Sequence, residues 1–457
     1  MSTIHSERAH EILKQRDKVD HHDATFWQLR QGRDKMAKGL PEWESLRDHA
    51  SAIKRHTLTH LADYLEQFSS QLESRGVIVH WAKDANELNE MVYGILESHK
   101  VTKMVKSKSM LTEECEMNPY LEKHGIDVVE TDLGERIIQL LRQKPSHIVM
   151  PAIHLKREEV GKMFEEKGIS KEIGNYDPTY LTRCARHHLR DQFMEAGAGM
   201  TGCNFGVAAT GDCVVCTNEG NADMTTSMPK LHIVAMGIEK LVPDYKSLAV
   251  FQRLLCRCGT GQPTTAFTSH FRQARPGAEM HVVLVDNGRS DILADKDHWQ
   301  TLKCMRCGAC MNTCPVYRRS GGYSYTYFIP GPIGVNLGML KNPQKYSDNV
   351  SACTLCLSCD NVCPSKVGPG SQIYAWRQSL ERLGKANPVK KAMSNGMKFL
   401  FDRPALYTTA LKFAPLVNLI PECCTHFSNW NAWGIGHAKP EFAKKSFHQL
   451  WKEGKVK

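Results

Sequence analysis

One arrangement of cysteines occurs twice in this chain: Cys304, Cys307, Cys310 and Cys314 followed by Pro315, then Cys353, Cys356, Cys359 and Cys363 followed by Pro364. In this C-x2-C-x2-C-x3-C-P spacing the first three thiolates fit three corners of one cubane, and the fourth is turned away to ligate the neighbouring cluster. Two 4Fe-4S clusters are therefore predicted. The crossed assignment gives Cys304, Cys307, Cys310 and Cys363 to cluster 1, and Cys353, Cys356, Cys359 and Cys314 to cluster 2. Zinc is the competing chemistry, but structural zinc sites present two separated C-x2-C pairs around one tetrahedral ion. The chemistry that follows is one-electron transfer. Arg306, Arg318 and Arg319 flank the first run, where positive charge would raise the potential of its cluster; surface solvation is the alternative reading of all three.

Such a unit must be held by something larger, and 457 residues leave room for about three domains. Residues 1–72 are polar with helical spacing, as in Leu58, Leu61, Tyr64, Leu65 and Phe68, and read as a helical arm. From 73 to 290 short β-branched runs alternate with amphipathic segments. Strands are expected at 77–81, 101–105, 126–130, 147–151, 206–216, 231–236 and 281–286, and helices from Asp84 with Glu87 in capping-box position, at 135–142, 156–167 and 247–255. That order predicts an α/β domain with a mostly parallel sheet. Residues 291–385 read as a helical two-cluster domain, with helices at 295–302 and 372–383. A C-terminal extension, 386–457, carries Trp430, Trp433 and Trp451 and suits packing or docking.

The formal charge of +10 admits nucleic acid, an anionic membrane surface or an acidic partner. No compact basic run interleaved with aromatics supports nucleic acid. The longest apolar stretch, 400–421, contains Asp402, Arg403 and Lys412, so no transmembrane segment is expected, although peripheral contact through the basic, Trp-containing tail stays open. The first residues lack the layout of a secretion signal, and the seventeen cysteines are expected to stay reduced in a cytoplasm.

Ser107-Lys108-Ser109-Met110-Leu111-Thr112-Glu113-Glu114 and Thr217-Asn218-Glu219-Gly220-Asn221-Ala222-Asp223 resemble segments of the LUD domain of lactate-utilization proteins, as do Glu130-Thr131-Asp132-Leu133-Gly134-Glu135 and Asp286-Asn287-Gly288-Arg289-Ser290. A LUD domain followed by two cysteine runs, with Gly331-Pro332-Ile333-Gly334 between them, resembles the lactate utilization protein B family, the iron-sulfur subunit of the complex LutABC. The resemblance implies an isomerase/CoA-transferase-like fold and a role in oxidising L-lactate to pyruvate. It also implies two partners, a LutA-like cysteine-rich subunit and a LutC-like LUD subunit; the electron acceptor stays unnamed. A small acidic ligand at the sheet's carboxyl edge is a further implication. There Lys106, Ser107, Lys108 and Ser109 follow a strand, and a solvated turn with a helix cap at Thr112 is the alternative.

Other signals carry less. Gly197-x-Gly199-x-x-Gly202 has the form of a dinucleotide fingerprint but follows a helix and enters a strand-like run, the wrong context. Cys213 and Cys216 on one strand would face opposite sides and favour core packing. Cys256 and Cys258 would share a face if extended, and they stay open, as do Cys423 and Cys424. His187 and His188 sit among arginines, with Arg186 or Arg190 as conceivable carboxylate binders. No flavin fingerprint is present, so catalysis by the chain alone is not expected. The competing functions are an iron-sulfur subunit for another 2-hydroxy acid such as glycolate, and a scaffold whose clusters only staple a helical domain.

Overall fold

A computed structural model describes residues 4–382, 388–421 and 440–456. Cys423, Cys424, Trp430 and Trp433 fall outside them. Two compact units emerge, Ser2–Ser379 and a smaller one formed by Leu380–Lys457.

The larger unit is built on a parallel sheet. Its strands are β1 (Ile78–Ala82), β2 (Lys103–Lys106), β3 (Asp127–Glu130), β4 (Ala198–Gly202), β7 (Leu231–Gly237) and β10 (Glu279–Val285), in the order β1-β10-β7-β4-β2-β3. Every neighbouring pair is parallel, as the alternation of strands and helices predicts. Residues along β7 separate by face: Ile233 and Ala235 pack with Leu88, Val92 and Met104, whereas Val234 and Met236 pack with Phe68 and Leu72. Both faces are thus covered, which explains the unbroken apolar run. The helix Leu61–Glu73, at the end of the expected arm, supplies the second cover through Leu65, Phe68 and Leu72.

A second, mixed sheet joins β5 (Phe205–Val207), β6 (Asp212–Thr217), β8 (Leu241–Val242) and β9 (Phe267–Phe271) in the order β8-β5-β6-β9. The single strand expected at 206–216 is therefore a hairpin, because the chain reverses through Gly211 at φ +72°. The strand expected at 147–151 does not form either. The His147 ring accepts hydrogen bonds from the Val149 and Met150 amides, both at 3.0 Å, and curls the segment into a turn. The glycine fingerprint forms β4 itself, where a Cβ at Gly199 would strike the Thr225 carbonyl oxygen.

Helices Arg16–Lys38 and Trp43–Thr59 pack elsewhere. Ala37, Trp43, Leu46 and Ala50 share a core with Phe205 and Phe251 of the α/β domain and with Met305, Cys307 and Val362 of the cysteine runs. The polar N-terminal segment is therefore the clamp between the two parts rather than a free arm. Helices Pro388–Phe401 and Pro404–Phe413 of the smaller unit leave Phe399, Phe401 and Phe413 exposed, as the 3-10 turn Ala414–Leu419 does Leu419. Among the described residues no helix is long and apolar enough to cross a membrane.

Candidate metal centre

The two cysteine runs share a backbone design. Each threads through two left-handed residues, Arg306 (φ +62°) and Gly308 (+78°) in the first and Leu355 (+56°) and Leu357 (+57°) at the equivalent places of the second. That path turns amides toward sulfur: the Arg306 amide donates to Cys304 Sγ at 3.4 Å and the Leu355 amide to Cys353 Sγ at 3.3 Å. Each run then makes one short helix, Ala309–Thr313 or Ser358–Val362, and the two helices lie against one another. The Thr313 and Ser358 hydroxyls meet at 2.6 Å across that contact. Proline following the fourth cysteine disfavours helical backbone there. Cys314 (ψ +117°) and Cys363 (ψ +118°) are accordingly extended and leave their own helices.

Sulfurs of both runs influence one another's ionisation. Burial raises the Cys310 thiol pKa well above its ordinary value, and Cys304, Cys307 and Cys363 reinforce the effect. Burial pushes Cys314 up to about 11, with Cys353 and Cys356 adding to it. Buried thiols this weakly acidic are protonated in the metal-free protein, and a bound cluster would take them as thiolates.

Cations surround the first run. Lys54 is buried and donates to the Leu241 carbonyl at 3.2 Å; burial draws its pKa down to about 7 against the opposing pull of Glu239 and Cys304. Burial likewise brings Lys303 down to about 8, opposed by Cys363. Of the three arginines read from sequence, only Arg306 lacks an ion pair among the described residues, and its Nη1 is buried without a partner. Arg318 pairs with Asp23 at 2.5 Å and stacks on Trp27, and Arg319 meets Asp20 at 3.2 Å. The helix Arg16–Lys38 thus neutralises both, a tertiary fact that no local pattern discloses.

At the carboxyl ends of the parallel strands lies a cavity of about 370 Å³. It sits at the switch between β2 and β4, where chain order reverses and open α/β sheets bind ligands. Its wall runs from Ser107 and Gly202 to Arg306 and Cys307 of the first cysteine run. Lys106 does not face a ligand. It is buried, donates to Glu130 at 2.7 Å and to Thr112 at 3.2 Å, and its pKa is raised because Glu130 and Glu113 outweigh the cost of burial. Lys108 reaches the wall but is tied to Glu135 and the Val149 carbonyl, each at 3.1 Å. The loop is not solvated, and Ser109 rather than Thr112 caps the helix Met110–Glu114.

The cavity's open charges were missed from sequence. Lys240 has no ion-pair partner among the described residues, and burial lowers its pKa against the pull of Glu239. Glu219, within a segment quoted only for its resemblance, is raised to about 7 by burial and by Asp132. Cys203, Cys216 and Cys256 also line the cavity, while Cys213 is buried in the core behind. Cys256 and Cys258 lie on the helix Tyr245–Gly259, not on an extended segment, and Cys258 shares a hydrogen bond with Cys307. Arg186, His187 and Arg190 point outward from the helix Pro178–Glu195, and His188 contacts Arg136 at 2.9 Å.

An α/β domain whose ligand-binding edge abuts a doubled cysteine motif defines an iron-sulfur protein with two 4Fe-4S clusters. Family profiles agree: a LUD domain matches residues 65–290 and a 4Fe-4S dicluster domain residues 300–367. The chain is 40% identical to lactate utilization protein B of Oceanobacillus iheyensis over 93% of this chain and 91% of that one. It is 41% identical to the protein of the same name from Bacillus pumilus, over 83% and 81%. An Escherichia coli protein described as the uncharacterized electron transport protein YkgF is 38% identical over 83% and 81%. The chain belongs to the lactate utilization protein B family.

Proposed function

We propose that this chain is the electron-transfer subunit of a complex that oxidises L-lactate to pyruvate. Cys304, Cys307, Cys310 and Cys363 hold cluster 1, and Cys353, Cys356, Cys359 and Cys314 hold cluster 2. The observation that carries the reading is the polarity of the assembly. Cys307 is buried and lines the cavity of the α/β domain, whereas Cys356 and its neighbour Leu357 are exposed. One end of the pair therefore faces an internal ligand cavity and the other faces solvent, where an acceptor docks. The clusters supply one-electron storage and transfer. Oxidation of one lactate releases two electrons and two protons, which matches one electron per cluster. LutA-like and LutC-like subunits are the partners this family role calls for. Two E. coli and Bacillus relatives carry electron-transport and lactate-utilization names respectively, which supports the reading.

The cavity supports a second element of the same role. Lys240 and Arg306, neither of them in an ion pair among the described residues, offer positive charge to a small carboxylate, and Glu219 at about 7 is suited to exchange a proton near neutral pH. The test is anaerobic reconstitution with the partner subunits, followed by lactate-dependent reduction read by EPR. Cys307→Ser and Cys356→Ser each abolish reduction of the acceptor and lower bound iron. Undiminished turnover in both variants refutes electron transfer through these clusters. Lactate-independent clusters that never change oxidation state in an intact fold favour the scaffold, and reduction by glycolate in preference to lactate reassigns the donor.

A further inference from the structure

The amino-terminal edge of the parallel sheet, opposite the cavity, carries a cluster of side chains that electron transfer does not use. Glu279 and His281 are alternate residues of β10 and so project from one face of the strand. His99, which closes the helix Ala85–Ser98, reaches the same point from the side. Glu279 Oε1 lies 2.5 Å from His281 Nε2 and 3.3 Å from His99 Nε2, and the three ligating atoms all fall within 4.8 Å of one another.

We propose that His99, Glu279 and His281 form a divalent transition-metal site of the zinc class, separate from the iron-sulfur clusters. Two imidazoles and one carboxylate are a donor set that zinc accepts with a fourth position left for water. The second observation comes from the other side of the His281 ring, where Nδ1 meets His80 Nε2 at 2.9 Å. With no metal bound, the Nε2 proton of His281 bridges to Glu279; a cation would displace it, and with the remaining proton on Nδ1 donated to His80 the Nε2 lone pair would face the site, the outer-shell arrangement that orients a ligating histidine. The His80 and His281 rings stack at 5.2 Å and 12°, which fixes the plane of the ligand. A groove lined by His99 and Glu279 leaves the fourth position open to solvent. Two imidazoles converge on one carboxylate oxygen, with a third ring behind, so three donors of a metal-ligand set meet at one point.

The full chain, with its clusters assembled anaerobically, is treated with chelator, equilibrated with micromolar zinc and analysed for zinc and iron together. The expected result is about one zinc per chain with iron unchanged. His99→Ala and Glu279→Gln abolish that zinc, and His80→Ala weakens binding by roughly ten- to a hundred-fold. His99 is exposed, so its replacement leaves the fold intact even if the strand variants do not. Absence of zinc in the unaltered chain, zinc retained by His99→Ala, or zinc gained only as iron is lost overturns the site.

Discussion

His147 Nε2 lies 3.0 Å from Asn312 Oδ1, and this buried contact joins the α/β domain to the helix between Cys310 and Cys314. Because Nδ1 already accepts two amides, Nε2 carries the proton and donates. Burial lowers the pKa of the ring to about 3, so it stays neutral. His147→Ala strips both sides of partners and is expected to cost about 1–3 kcal/mol. The loss should appear as a lower denaturation midpoint together with reduced iron content, since the disturbed helix carries Cys310 and leads into Cys314.

Buried positive charge beside the first run should hold its cluster at a higher potential. Below about pH 7, where Lys54 is protonated, Lys54→Met keeps the volume and removes the charge, so the potential of the cluster near Cys304 should fall by on the order of tens of millivolts, and by less as the pH rises through 7. Arg319→Gln, whose charge is spent on Asp20 and Asp23, should leave it where it is. A redox titration followed by EPR separates the two outcomes.

Lys106 and Glu130 are a buried ion pair beneath the cavity, with the other Glu130 oxygen unpartnered. Lys106→Met leaves a buried carboxylate without its counter-charge, a change of about 3–5 kcal/mol. Thermal unfolding should show it, while ligand binding in the cavity should suffer only through that instability. If Lys106 instead holds the ligand, affinity falls with the midpoint unchanged.

Glu239 meets Arg289 at 2.6 Å in the interior. Burial opposes its charge, but Arg289 together with Lys240, Arg306 and Lys54 outweighs it and brings the pKa from 4.5 to about 2. A lowered carboxylate pKa gives stability that is present above the unfolded value and lost as pH falls through the folded one. The contribution is on the order of 3 kcal/mol at neutral pH and should fade between about 4.5 and 2. Glu239→Gln should be less stable at pH 7 and flatter across that acid window in denaturant titrations.

The cluster motif was legible in sequence because cysteine spacing reflects the size of a cubane directly. So was the parallel sheet, whose strands β7 and β10 carry the doubly buried apolar runs 233–236 and 282–285. β4 escaped because Gly199 is selected for close approach of Thr225 rather than for strand propensity. The 147–151 segment misled because its apolar residues suit a strand, while one histidine ring captures the amides a sheet would need. The site's charges were the least legible. Arg318 and Arg319 are cancelled by aspartates nearly three hundred residues earlier, whereas Lys240 and Glu219 gain their character only from burial beside the cavity.

The central claim, two neighbouring clusters joined by crossed ligands, meets its most direct test in EPR of the anaerobically purified, dithionite-reduced chain with iron and sulfide counted on the same sample. About eight irons and eight sulfides are expected, with spectra broadened by magnetic coupling between the clusters. Cys363→Ser should perturb the cluster of the first run, although Cys363 belongs to the second. A colourless protein containing zinc, or a Cys363→Ser change confined to the cluster of its own run, would contradict the account.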